Sequence, residues 1–521
     1  MGTFFRRAAF VVLVLIVAAA AWVAYHLRDR HPGYTLDLCL VPAPTLVDRN
    51  GAAAMAPLRV GFGRETITPD LSRTVWLAGF ASGRRATAIH DDLWAVAIVI
   101  DDGEHRVGLV ALDAIGVFHD DVIQIREKVA ASTRLDYVVV AATHNHSTPD
   151  LMGLWGRRTG FRGVDDTYRR RVIDASARAI VAATRSTQPA RMSLLEIPLP
   201  TDGLIADTRP PRVFDNTLRL MHFTAVADGS TLGSVVNWAD HPETVWSANT
   251  EVTADFPGYL RDVLEHGTAG EPGRPREPGR GAGGAGRDHG LGGVHLYVNG
   301  AIGGLMTTNP ETTVVDPFTG EPYSTPSHDK ARAVGRRLAD AIFTALEAQA
   351  AGNAGPAADG RVDDPTAAPK LSITARTLEL PVQNLLFRAA LAVGTVARGT
   401  PRVNQLRTEV GLIQLGDASL TLVPGELYPE IANGGITRPN GADFPIDPVE
   451  VPPLRDVMPG RVKFLVGLAN DEVGYIIPKS EWDNQAPWLE GASQRLYGEQ
   501  ISLGPETAPL LHEALRQLAH H

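Results

Sequence analysis

Two histidines stand one residue apart in AATHNHSTPD (141–150), directly after the apolar run Tyr137-Val138-Val139-Val140. An H-x-H pair at the end of a strand is a common way to present imidazole nitrogens to a metal ion. Similar endings recur along the chain. TLGSVVNW (231–238) is followed by Asp240 and His241, ASLTLVPGE (418–426) ends in Glu426, and VKFLVGLAND (462–471) is followed by Tyr475. Each piece alone also reads as an ordinary polar or packed residue: His241 as a loop histidine, Glu426 as a turn residue, Tyr475 as a core aromatic. Their joint occurrence after four apolar strands favours a metal centre. The single cysteine, Cys39, excludes a thiolate cluster, so the ligands must be imidazole, carboxylate or other oxygen donors. Two histidines, a carboxylate and an oxygen donor suit zinc, whose catalytic sites keep an exchangeable position.

The elements that must position these residues follow the same pattern. RVGLVALD (106–113) reads as a strand ending in Asp113, HDDVIQIREKVAAS (119–132) as a helix with Val122, Ile125 and Val129 on one face, and LDYVVVAATHNH (135–146) as a second strand. Strand, helix and strand at this spacing make a βαβ unit with parallel strands, which puts Asp113 and His144 at one sheet edge. Ligands of open α/β sheets bind at that carboxyl edge. Period-two alternation predicts that His144 and His146 share a face while Asn145 points away. VHLYVN (294–299), followed by the glycine-rich GAIGG, repeats the pattern. Asp113 and Asp255, in TADFPG, are placed to orient the ligands or simply to cap local structure. The expected fold is α/β: a mixed, mainly parallel sheet flanked by helices such as 167–185 and 327–349, with the metal site at the carboxyl ends of the strands.

Composition bounds the rest. The 521 residues are 44% hydrophobic and 21% charged, with a formal net charge of −10 and no lysine- or arginine-rich block, so nothing resembles a nucleic-acid binder. Arg6-Arg7 precede an uncharged run, Ala8 to Tyr25, which as a helix measures about 27 Å and can just span a bilayer. Residues 1–30 therefore read as a membrane anchor or signal segment, with Trp22 and Tyr25 at an interface. An uncleaved anchor places an extracytoplasmic body at the membrane; cleavage would secrete it. Residues 31–57, with four prolines, read as a tether, 58–505 as the catalytic body and 506–521 as a C-terminal helix. Within the body, 267–293 has the composition of a flexible insert and 351–369 that of a linker.

The segments VGFGRETITP, LAGFASGRRATAIHDDLWAVAIVI, AATHNHSTPD, VNWADHPETV, VPGELYPE and GLANDEVGYIIPKSEW together resemble the catalytic domain of the neutral (non-lysosomal) ceramidases and their bacterial homologues, from about 58 to 505. The resemblance implies zinc held by His144, His241, Glu426 and Tyr475. It implies substrate contacts from His146 and from Arg209 in DTRPPR, and hence catalytic roles for His146, Arg209 and Tyr475. The implied activity is zinc-dependent hydrolysis of an amphiphilic N-acyl lipid of the N-acylsphingosine type, giving a fatty acid and an amine base. Two departures stand out. Where the family carries an aspartate and a serine in an N-x-G-D-x-S-P-type segment, this chain reads Asn299-Gly300-Ala301-Ile302-Gly303-Gly304, so no serine nucleophile is available there. Ceramidases also continue into a β-sandwich domain without counterpart in these residues, which makes the N-terminal segment the expected means of engaging lipid. The alternatives are a zinc hydrolase of a non-lipid amide or ester, and a catalytically degenerate anchored binding protein.

Overall fold

A computed structural model describes residues 2–42, 57–207, 209–268, 285–305, 307–308, 310–352 and 369–520. Two sheets lie face to face. The larger has eight strands in the order Val294–Asn299, Thr231–Trp238, Thr217–Ala225, Gln188–Pro198, Arg59–Thr66, Trp94–Asp101, Arg106–Leu112 and Tyr137–Ala142. The smaller has five: Asp37–Leu40, Leu371–Pro381, Gln405–Leu415, Ala418–Leu422 and Val462–Val466. Val60, Ile98, Leu109, Val139 and Phe223 of the first meet Ile373, Ile413, Leu420 and Phe464 of the second in one shared core.

Helices cover the outer faces. His119–Ala130 and Asp166–Arg185 pack Val122, Ile125, Val172 and Ile180 on Val99, Val110 and Val140. Asp255–His266 and His328–Ala350 pack Phe256, Leu260, Leu338 and Ile342 on Trp238 and Tyr297. The C-terminal helix Thr507–Leu518 lays Leu511, Leu515 and Leu518 on the smaller sheet. Strands buried on both faces carry continuous apolar runs instead of alternation, which is why their sequences read so plainly as buried strands. The helix starts are also written locally: the Asp165 and Ser327 side chains accept from the backbone N–H of Thr167 and Lys330.

The fold is mixed α/β, as expected, but its strands run mostly antiparallel. In the large sheet only the outermost pairings are parallel, 294–299 with 231–238 and 106–112 with 137–142. In the small sheet only 418–422 with 462–466 is parallel. The reason is the connections. Asp102-Gly103, Asp228-Gly229 and Gly416-Asp417 sit in tight turns between consecutive strands, a linkage open only to antiparallel neighbours. The βαβ unit over 106–142 forms as the spacing predicts and is an exception within its sheet.

The stretch read as a tether, 31–57, is partly built into the body. Asp37–Leu40 pairs antiparallel with Leu371–Pro381, and Leu36, Leu38 and Leu40 pack against the shared core. Residues 43–56, the centre of the expected insert (269–284) and most of the expected linker (353–368) lie outside the described residues. Gly2–Leu27 forms one helix, whose residues 4–27 are long and apolar enough to cross a membrane.

Candidate metal centre

The strand Tyr137–Ala142 stops two residues before His144, and His144 takes a left-handed backbone (φ 63°). Period-two alternation therefore does not place the H-x-H pair, contrary to expectation. A turn does: Asn145 N–H donates to Ala114 O, and the Asn145 amide holds Thr253 O and Ser147 N. A non-glycine residue in this region is strained, and such strain concentrates at functional sites. Its effect is to bring the two imidazoles together, with centroids 4.9 Å apart. His144 Nδ1 lies 2.7 Å from Ile115 O. A carbonyl only accepts, so Nδ1 carries the proton and Nε2 is left with its lone pair facing Glu426 Oε2, 3.5 Å away.

His241 arrives from the end of Thr231–Trp238, with Nε2 3.0 Å from the same Glu426 oxygen. Glu426 and Tyr475 are direct partners in a short parallel pairing, Glu426–Leu427 with Tyr475–Ile476, which fixes them side by side although they are far apart in sequence. One nitrogen each of His144, His146 and His241 lies within 4.8 Å of the others, and all three residues are buried. This group could hold a metal ion. Burial pushes the His144 imidazole down to about 3, so it is a neutral donor at ordinary pH. Burial alone would raise Glu426, but His144 and His241 hold it below the usual carboxylate range. Tyr475 is driven far above the ordinary phenol value by burial and by Glu426, a balance that a cation between them would reverse.

Around His146 the structure adds residues that the sequence left unremarked. Glu243, two positions after His241, approaches His146 Nδ1 at 3.0 Å. Against its burial, His146 and His241 bring the Glu243 carboxyl down to about 2. Gly79 is pressed against the other side of this ring: a Cβ there would stand 2.4 Å from His146 Cγ, and its φ of 99° favours glycine. Arg84 donates to the carbonyls of His146 and Ala78. LAGFASGRR thus forms a cradle for His146. Phe80 and Trp246 border it, with Phe80 5.0 Å from the His146 ring, while Tyr428 and Tyr497 flank Tyr475. Glu243 had a legible signal, a carboxylate in the same loop as a ligand; Ile115, acting through its carbonyl, had none.

Three expected site residues have other partners. Asp113 forms a two-pronged ion pair with Arg261 (2.8 and 2.7 Å) and accepts from Trp94 N. The carbonyl that holds the His144 ring is that of Ile115, two residues on. Asp255 accepts from Phe256 N and Val245 N at the start of its helix, and so ties down the loop that follows His241. Arg209 is buried, bound two-pronged to Glu499 (2.6 and 3.1 Å) and to the carbonyls of Tyr497 and Glu481. Its guanidinium meets the site through the Tyr428 ring, 5.4 Å away, and through the Tyr497 carbonyl.

Gly304 has φ 68°, and a Cβ there would meet Asp207 and Pro429 only at ordinary contact distance, 3.6 Å. Ile302 is wholly buried in the helix-covered core. Burial raises the nearby Asp207 carboxyl to about 7, against the Arg209 backbone N–H that favours its charge. Between the ordinary aspartate value and pH 7 the folded chain then binds a proton that the unfolded chain releases, so this group lowers stability as pH rises through that window. Asp207→Asn is expected to gain most over wild type at pH 8 and least at pH 4.5, read from urea midpoints at the two pH values.

No protein-family model matches the sequence. The structure aligns with the crystal structure of neutral ceramidase from Pseudomonas aeruginosa at TM-score 0.61, over 89% of this chain and 74% of that one, with 17% identity. The chain has the neutral ceramidase fold. A ceramidase structure described as complexed with C2 aligns equally, at TM-score 0.60 over 89% and 75% of the two chains, again with 17% identity. Within this ceramidase fold the histidine group lies at the strand ends, and the cavity of about 310 Å³ lined by Arg64, Asp91, Trp94, Tyr259 and Arg261 shares no residue with it.

Proposed function

We propose that the protein is a zinc-dependent amide hydrolase acting on an N-acylated amphiphile, of the kind its ceramidase fold suggests. The observation that carries this reading is the convergence of His144, His146, His241 and Glu426 on one buried point in that fold. The donor set suits zinc: His144 and His241 through imidazole nitrogen, Glu426 as carboxylate, and Tyr475 beside Glu426 as the remaining oxygen. Bound there, the ion would supply Lewis acidity toward the amide carbonyl and acidify water.

The chain's own groups account for the rest. In the hydrolysis a water oxygen bonds to the amide carbon, the C–N bond breaks with its electron pair going to nitrogen, and nitrogen takes a proton. His146, held between Gly79 and Glu243, is the group placed to accept the water's proton and return it to the departing amine. Glu243 sets which ring nitrogen is free for that transfer. Phe80, Trp246 and the exposed Tyr497 offer aromatic surface to an acyl chain. None of these steps requires a hydroxyl at position 304. Arg209 acts on substrate, in this reading, by holding Tyr428 and the 481–499 segment in place.

The test is fatty-acid release from a short-chain ceramide by the full-length protein in detergent, before and after zinc chelation. Release that chelation abolishes and added zinc restores is the expected result. Chelator-insensitive release would reject the zinc dependence, and no release from protein carrying one zinc per chain would reject the ceramide-hydrolase reading.

A further inference from the structure

The helix Leu385–Val393 (LLFRAALAV) has an unusual surface for a body exposed to water. Its Asn384 cap and left-handed Gly394 make it a complete short helix. One face is docked: Leu391 is buried, and Phe387 and Ala390 pack against the core under the smaller sheet. The opposite face leaves Leu385 72%, Leu386 71% and Val393 56% exposed, with Ala389 between them. That face carries no charge. Arg388, the only ionisable residue of the helix, turns back to Val382 O.

The position of this helix gives the face a partner. It packs against the last turns of the N-terminal helix Gly2–Leu27: Trp22 Nε1 donates to Val393 O at 3.1 Å, and the His26 ring covers Gly394 so closely that a Cβ there would overlap it. The junction beyond is tied to the body. Asp29 pairs with Arg407 (2.6 and 3.0 Å), Arg30 donates to Ala397 O at 2.7 Å, and Thr400 donates to Leu27 O. Trp22 lies five residues before the end of the apolar helix, about 7 Å along its axis. A helix fastened at that level sits at the boundary between acyl chains and headgroups, the depth of 5–10 Å at which amphipathic helices lie in a membrane. Trp22 and Tyr25 suit the same level, and the Arg28 guanidinium over the Tyr25 ring at 3.8 Å suits the headgroup layer just beyond.

We infer that Leu385–Val393 is a second membrane contact, an in-plane helix that embeds its Leu385, Leu386, Ala389 and Val393 face in the bilayer surface beside the N-terminal helix. The inference rests on reading residues 4–27 as membrane-inserted. Two contacts of this kind hold the body in one orientation on the lipid surface, where a single flexible anchor would leave it free to tumble. The covering partner is lipid; continuity with the apolar N-terminal helix, and the absence of charge on the face, set it apart from a protein-binding groove.

The test uses the full chain with Cys39→Ser, reconstituted at one copy per phosphatidylcholine and phosphatidylglycerol nanodisc, with a polarity-sensitive fluorophore on single cysteines replacing Leu386, Val14 or Asp228. Each position is well exposed, so the substitutions leave the packing intact. Shallow nitroxide-labelled lipid is expected to quench the Leu386 label several-fold more than the Asp228 label, with iodide doing the reverse. A Leu386 label that behaves like the Asp228 label overturns the inference, and so does one shielded from both quenchers, which would mean a protein cover. Failure of the Val14 label to respond to lipid carrying its nitroxide deep in the acyl chain overturns the inserted-helix reading itself, and is thereby distinguished from failure of the second contact alone.

Discussion

His144→Ala is expected to abolish zinc binding and lower fatty-acid release by at least about 10³-fold, because it deletes one ligand of the proposed zinc site. The fold should survive. Glu426 keeps His241 Nε2 at 3.0 Å, and the turn is held by Asn145 through Ala114 O, Thr253 O and Ser147 N. Metal content by mass spectrometry and hydrolysis by product release read the two effects separately. Retention of both zinc and hydrolysis in this variant would remove the basis of the proposed site.

Arg261→Met is expected to cost about 3–5 kcal/mol of unfolding free energy, the usual result of leaving one buried partner of an ion pair uncompensated. Asp113 is wholly buried and, among the described residues, accepts hydrogen bonds from Arg261 and Trp94 N alone. Zinc per folded chain should be unchanged, because neither residue touches a ligand. Asp113→Leu combined with Arg261→Met should recover part of the loss, since an apolar pair carries no stranded charge. Urea titration with metal content on the same samples checks both points. A variant that kept its stability but lost zinc would return Asp113 to the role of orienting a ligand.

Much of the site was legible from residue types. Apolar runs ending in His144, His241, Glu426 and Tyr475 marked strand ends, and those four residues do come together. Helices at 166–185, 328–350 and 507–518 were also readable, because 3.6-residue periodicity and caps at Asp165 and Ser327 are local signals. Local signals misled where the answer depended on neighbours. Asp113 stands at the predicted edge, yet an arginine 148 positions away claims it. The H-x-H pair looked like a continuing strand, because a left-handed histidine has no sequence mark of its own.

By itself, then, the sequence marked candidate metal-binding residues, the segments that are buried strands or helices, and an apolar N-terminal helix before the body. Only the tertiary structure decided strand direction, the closure of Glu426 on two histidines, the Gly79 and Glu243 walls around His146, and the placing of Leu385–Val393 beside Trp22. The physical reason is range. Periodicity and capping are settled within a few residues by backbone geometry. Which carboxylate meets which cation, and which apolar face stays uncovered, is settled by packing between segments hundreds of residues apart.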